Sequence, residues 1–428
     1  MAVNIIYDGT PDMDGDPEYV YYNALICNNR TDINQDLPDP VIRFQETRSV
    51  PIIKDASKYV FSIVRANLNG PGKDLPIFIP VIRTGADNPA QNVNLTTYSI
   101  TQSLQAQYTV ALNTYTSPVF LSTQPIIWTP EITTSVDAPV PLASTTQTGQ
   151  DLSTKYYYCF TYSHWINLVN NAYQAAIVDL QAQFAAWWTA TGIPGAVPTL
   201  GTVANVMTYN PTTNLYSLYA SRYSFGGNKA TSFGTAAQET CQLWFNNNMW
   251  GLFGSFRFLY QNLPGERIYL INVASVLDQN ILNVATTGKS YWITVQDYET
   301  TSTLWSPIES IVFTSTMLPL VFEQTGDPVR FGDSIVGPQS TQTAFSPIVT
   351  DIAVTNLSAS DYRGFIQYIP SAEYRLSAFQ RSRTQVANID IQVFWKNRLD
   401  GGLNPVTMFN GSSVSVKCMF RRIGADRK

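Results

Sequence analysis

Residues 58–68 read KYVFSIVRANL, and this stretch decides the fold class. Tyr59, Phe61 and Ile63 alternate with Val60, Ser62 and Val64 before Arg65, a period of two that belongs to a strand. Because both alternating sets are largely apolar, the start of that strand is expected to be buried on both faces. Text of the same kind surrounds it. YVYYNALIC (19–27), VIRFQ (41–45) and PIFIPVI (76–82) are rich in β-branched and aromatic residues, and they end in turn clusters such as Asn69-Gly70-Pro71-Gly72. From about residue 266 strand text returns and persists to the end, through RIYLINVASVL, SYWITVQDY, SIVFTSTMLPLVFE, IVTDIAVTNL, YRGFIQYIP, TQVANIDIQVFW and VSVKCMFRR. Many short strands without an alternating helix argue for a sandwich or barrel.

The middle of the chain differs. From Trp165 onward Leu168, Ala172, Ala176, Leu180, Phe184 and Trp187 recur every three or four residues, with Val169, Tyr173, Ile177 and Trp188 widening the stripe. This periodicity predicts one long helix over about 163–191, capped by Thr161 or Ser163 and ended at Gly192-Ile193-Pro194-Gly195. The expected class is therefore mostly β, a single jelly-roll β-sandwich split in sequence. Residues 1–18 form an N-terminal arm, 19–121 with 263–428 form the sandwich, and 122–262 form a helix-containing insertion domain.

Composition narrows the function. Charged residues make up 13% of the 428, against about 25% in an ordinary soluble domain. Yet the chain carries 24 Tyr, 21 Phe and 9 Trp. Interface cores are poor in Lys, Glu and Asp and rich in aromatics, so this balance favours a surface covered by copies or partners. A single histidine, His164, starves ordinary acid–base catalysis. It stands at the start of the long helix with no GxSxG elbow to supply a nucleophile, and reads as a capping or packing residue. Glu299, Glu309 and Glu323 are the carboxylates available for glycosidase-like chemistry, but nothing pairs them in sequence.

Other motifs are equally bland. Thr286-Thr287-Gly288-Lys289-Ser290 resembles the tail of a P-loop, but Asn283 stands where the first glycine belongs and a strand follows, so a hairpin turn explains it. Asp12, Asp14 and Asp16 alternate like the opening of a calcium loop, but Pro17 and Asn23 occupy the positions that need Gly and Glu. Cys27, Cys159, Cys241 and Cys418 form no CxxC pair and read as small buried hydrophobes of a reducing compartment. No catalytic, cofactor-binding or metal-ligating residue is expected. A net charge of −5 argues against strong nucleic-acid binding. Without a basic leader or an apolar run of about 18 residues, no signal peptide or membrane span is expected.

Charges set inside strand text are more informative, since a lone buried charge costs several kcal/mol. ArgPheGlnGluThrArgSer (43–49) and TyrValPheSerIleValArg (59–65) place Glu46 near Arg48 or Arg65. Tyr362-Arg363 and Glu373-Tyr374-Arg375 place Glu373 near Arg363 or Arg375. These six residues are candidate sheet-edge or intersubunit ion pairs. The same phrases, with SerIleValPheThrSer (310–315), IleAspIleGlnValPheTrpLys (389–396) and ValLysCysMetPheArgArg (416–422), resemble the penton, or minor capsid, proteins of polinton-like viruses and virophages. These are small tailless icosahedral viruses with double-stranded DNA.

The resemblance covers residues 20–85 and 305–422. It implies a single jelly roll assembled as a homopentamer at the capsid vertex, contacting the major capsid protein and other minor capsid proteins. It also implies a place in the virion and synthesis in the host cytoplasm. The residues leave open a double jelly-roll major capsid subunit, a glycan- or receptor-binding fibre module, and a hydrolase on a sandwich scaffold.

Overall fold

A computed structural model describes residues 5–8, 16–29, 41–69, 82–83, 96–129, 156–157, 159, 161–202, 204–221, 230–231, 237–263, 266–271, 280–284, 289–298, 305, 308–321, 348–353, 365–368, 376–380, 384–398, 401–406, 408 and 411–424. The chain divides into two compact units, Met1–Ile77 with Pro307–Lys428, and Phe78–Ser306.

Eight strands frame the first unit. In chain order they are Tyr19–Cys27, Arg43–Thr47, Tyr59–Asn69, Ile308–Thr314, Ile348–Ala353, Phe365–Tyr368, Asn388–Asn397 and Ser413–Arg422. One sheet runs first-eighth-third-sixth, and the other second-seventh-fourth-fifth, with every pairing antiparallel. This crossing order is the jelly roll, two Greek keys folded into one sandwich. Alternation builds its core. Val20, Tyr22 and Ala24 of the first strand, Phe61 and Ile63 of the third, and Val414, Val416, Cys418 and Phe420 of the eighth are all buried. Phe44, Ile311, Phe313, Ile389, Ile391, Val393 and Trp395 of the other sheet are buried as well. Phe61 and Phe420 meet with ring centroids 5.0 Å apart. Each buried Val, Ile or Phe among them contributes about 1.5–3 kcal/mol on leaving water.

The opening stretch contains a bulge. Lys417 pairs with Arg65 and Cys418 with Ile63, so Val64 is the extra residue of the third strand. Before it Tyr59, Phe61 and Ile63 are buried; after it Ala66 and Leu68 are. A bulge inserts one residue and so reverses which side chains face the core.

Within the arm, Ile5–Asp8 pairs with the first strand, Asp8 lying opposite Tyr19. Two expectations are corrected. The insertion was expected to begin at 122 and end at 262, but the second unit runs from Phe78 to Ser306. Residues 99–110 and 266–271, both assigned to the sandwich, do not join it, because both segments pair with Ala237–Asn246. Strand alternation reveals a buried face but not which sheet buries it.

The second unit carries a sheet ordered Phe258–Leu263, Glu266–Ile271, Ala237–Asn246, Ser99–Val110, Asn113–Thr116, with Phe120–Pro125 also paired to Ser99–Val110. A four-stranded sheet runs Val206–Asn210, Leu215–Ser221, Lys289–Val295, Asn280–Val284. The helix Tyr162–Ala190 packs on the first of these through Leu180, Phe184 and Trp188 against Leu104, Ala106, Tyr108 and Cys241. Thr161 caps its start, its hydroxyl accepting from the His164 N–H at 3.1 Å. At its end Gly192 takes φ +70°, the Gly192 N–H donates to Thr189 and the Ile193 N–H donates to Trp188. Ile193 and Trp188 then share one apolar cluster. This is the Schellman reversal that the Gly192-Ile193 pair predicts.

Among the described residues, many aromatic side chains fill these cores. Trp165, Trp305, Tyr173, Tyr216 and Phe253 are among the largest fully buried side chains, and Tyr216 stacks on Trp305 at 4.9 Å. Aromatic composition reports a large buried volume here as much as it reports interfaces, since aromatic rings dominate core and interface alike.

Candidate assembly surface

Charge in the sandwich is used in three places. Between the sheets, Tyr22 is fully buried and its hydroxyl donates to Glu46 Oε2. Burial, and then the Glu46 hydrogen bond, push the Tyr22 phenol well above its ordinary pKa. Arg48 Nε lies 3.5 Å from Glu46 Oε1, a part-exposed pair contributing about 0.2–1 kcal/mol. Glu46 and Arg48 are thus brought together, whereas Arg65 stands elsewhere. Arg363, Glu373 and Arg375 lie outside the described residues. At the entry to the third strand Lys58 Nζ pairs with Asp16 at 3.0 Å, and the Tyr59 hydroxyl donates to the Pro17 carbonyl at 2.7 Å. Asp12 and Asp14 lie outside the described residues.

The third place is the outer face of the sheet that carries the eighth strand. Here a groove of about 450 Å³ is lined by Tyr19, Tyr21, Val64, Arg65, Lys417, Met419 and Arg421. Strand alternation explains this set. Tyr19 and Tyr21 point away from Val20 and Tyr22, while Lys417 and Arg421 point away from Val416 and Phe420. The bulge at Val64 turns Arg65 outward, directly opposite Lys417. The Tyr19 and Tyr21 rings lie nearly parallel, 9° apart with centroids at 6.4 Å, and Lys417 Nζ sits 4.7 Å from the Tyr21 centroid. None of the lining residues is acidic.

Two buried carboxylates are structural acceptors that sequence reading did not single out. Asp390, fully buried, accepts from the Ser315 hydroxyl at 2.5 Å, the Thr316 hydroxyl at 2.7 Å, the Thr316 N–H at 3.0 Å and the Met317 N–H at 2.8 Å. Burial alone would raise its pKa, but these donors outweigh it and hold it below the ordinary value. Glu239 accepts from the Gly201 and Thr202 N–H groups, both at 2.8 Å, and from the Thr202 hydroxyl at 2.6 Å. Each carboxylate fixes a loop by gathering its backbone and hydroxyl donors.

The chemical candidates resolve into structure. His164 is buried and its Nε2 contacts the Thr129 carbonyl, with its ring edge-on to Trp128 at 5.9 Å. Glu309 pairs with Lys396 at 3.0 Å, while Glu299 and Glu323 lie outside the described residues. Lys289 and Ser290 belong to a hairpin, paired with Val284 and Asn283. Cys159, Cys241 and Cys418 are buried as expected. Cys27 is exposed, a correction, because it ends its strand beyond the last core position, Ala24.

Comparison with known proteins follows the same lines. Residues 20–422 match the family model of the Sputnik minor capsid protein V18/19. The chain belongs to this family. It is 30% identical over 171 residues to the uncharacterized protein V18 of Sputnik virophage, covering 40% of this chain and 89% of that protein. It superposes on a chain of the 3.5 Å cryo-EM structure of the Sputnik virophage with a TM-score of 0.65 and 23% identity, over 95% of this chain and 98% of that one. The crystal structure of the mavirus penton protein matches with a TM-score of 0.51 and 14% identity, over 95% and 99%. This minor capsid protein is a structural component of the virion and shares the jelly-roll fold of those capsid proteins. Among the described residues, no helix is long and apolar enough to cross a membrane.

Proposed function

We propose that this minor capsid protein builds the five-fold vertex as a homopentamer, each copy a wedge-shaped jelly roll meeting the next through unlike side faces. Such a heterologous contact closes a ring when its rotation is a fifth of a turn. The observation that carries this reading is the family match across residues 20–422, supported by the complete eight-strand jelly roll. The outer rim would contact the major capsid protein and other minor capsid proteins. Synthesis would take place in the host cytoplasm.

The chain works by packing and not by catalysis. Support comes from the use of the acids buried among the described residues: Asp390 and Glu239 are consumed as loop acceptors, and the lone histidine belongs to a helix start. Light scattering and negative-stain images of the purified chain test the proposal. Five-fold rings are the expected result. A trimer would favour a double jelly-roll subunit or a fibre, and a monomer at high concentration would remove the reading.

A further inference from the structure

We infer that the groove formed by Tyr19, Tyr21, Arg65, Lys417, Met419 and Arg421 is a contact surface for carboxylate side chains of a second copy of this chain. The inference rests on the vertex reading and names the surface that serves it.

Three observations support it. First, Arg65 and Lys417 face each other across the ladder. Like charges directly opposite destabilise a sheet, and no groove residue is a carboxylate that could offset them. An acid entering from outside would pair with both. Second, the chain is acidic. Its net charge is −5, so with the groove's three cations set aside the remainder carries −8. A basic groove on an otherwise acidic molecule is complementary to the surface of its own copies, and complementary potentials fix register between partners.

Third, the groove combines Tyr, Met and Arg around apolar Val64, the types enriched at interface cores and binding hot spots. The tyrosine pair offers flat apolar area beside the cations, and the Tyr21 ring already holds the Lys417 ammonium at 4.7 Å. The bulge at Val64 is the device that creates the site. Without a reversal of phase, the buried set of Tyr59, Phe61 and Ile63 would be continued by Arg65.

The test is assembly of the full-length Arg65→Glu and Lys417→Glu variants beside the parent chain, by sedimentation and negative stain at matched concentration and rising salt. The parent is expected to assemble and to weaken with salt. The variants should fold with unchanged circular dichroism and associate at least about tenfold more weakly. The conservative Lys417→Arg should retain assembly. Rings of unchanged stability in both charge reversals would overturn the groove while leaving the pentamer intact. A parent chain that never self-associates would overturn both. Binding of a dT20 oligonucleotide lost in Lys417→Glu, with assembly unaffected, would assign the groove to a phosphate polymer and overturn the second copy.

Discussion

The hydroxyl of Tyr22, in one sheet of the sandwich, donates to the carboxylate of Glu46 in the other. Tyr22 is fully buried, whereas Glu46 is about a quarter exposed and also pairs with Arg48. The two ends of the bond are therefore unequal. Glu46→Ala strands a buried phenol and should cost about 1–3 kcal/mol, while Tyr22→Phe leaves an acceptor that water can reach and should cost about 1 kcal/mol. Denaturant titration of the two variants and their double mutant measures the difference. Equal costs would contradict the assigned burial.

Asp390 makes stability depend on acid. Its folded pKa lies below the ordinary 3.8, so the unfolded chain binds the proton more readily. The contribution is complete above the unfolded value and is lost as pH falls through the folded one. Asp390→Asn introduces an amide where only acceptors fit and should destabilise at neutral pH by about 2–4 kcal/mol. The loss should shrink as the pH is lowered below 3.8. Urea midpoints across that range check the sign.

The hairpin tip at Ala111-Leu112 is strained. Both residues adopt left-handed backbone, φ 48° and 71°, and Leu112 is 98% exposed. Two-residue turns of this kind favour Asn-Gly. Replacing the pair with Asn-Gly should stabilise the chain by about 1–2 kcal/mol, read as a higher melting temperature.

Phe184 anchors the long helix. It packs between Tyr108 and Trp188 at ring distances of 5.4 and 5.8 Å and is fully buried. Phe184→Ala should cost about 3–5 kcal/mol, whereas Val178→Ala, at a position 60% exposed on the same helix, should be nearly neutral. Thermal unfolding of both distinguishes the packed face from the wet one.

Much of the fold was legible in the residues. Strand alternation, turn clusters and the single helical stripe mark most elements, because a period of two or 3.6 is a local property. The helix was expected at about 163–191 and occupies Tyr162–Ala190. For Glu46 the sequence left Arg48 and Arg65 both open as partners, and the structure places Arg48 beside it. The unit boundaries were not legible. Segments 99–110 and 237–246 pair with each other, and nothing local in either marks the other as its partner. The groove was missed for the same reason: Tyr21, Arg65 and Lys417 are remote in sequence and meet only through ladder register. Asp390 looked like one more charge in a strand until the loop at 315–317 closed over it.

By itself the sequence determined that this chain is mostly β with one long helix, short of ionisable groups and poorly equipped for catalysis. Composition and local periodicity do not depend on which segments meet. Only the tertiary structure decided that strands one, eight, three and six share a sheet, that a unit with sheets of its own is inserted in sequence between strands three and four, and that a bulge turns Arg65 toward Lys417. Those facts depend on register between distant segments, and a one-residue slip in register moves every side chain to the opposite face.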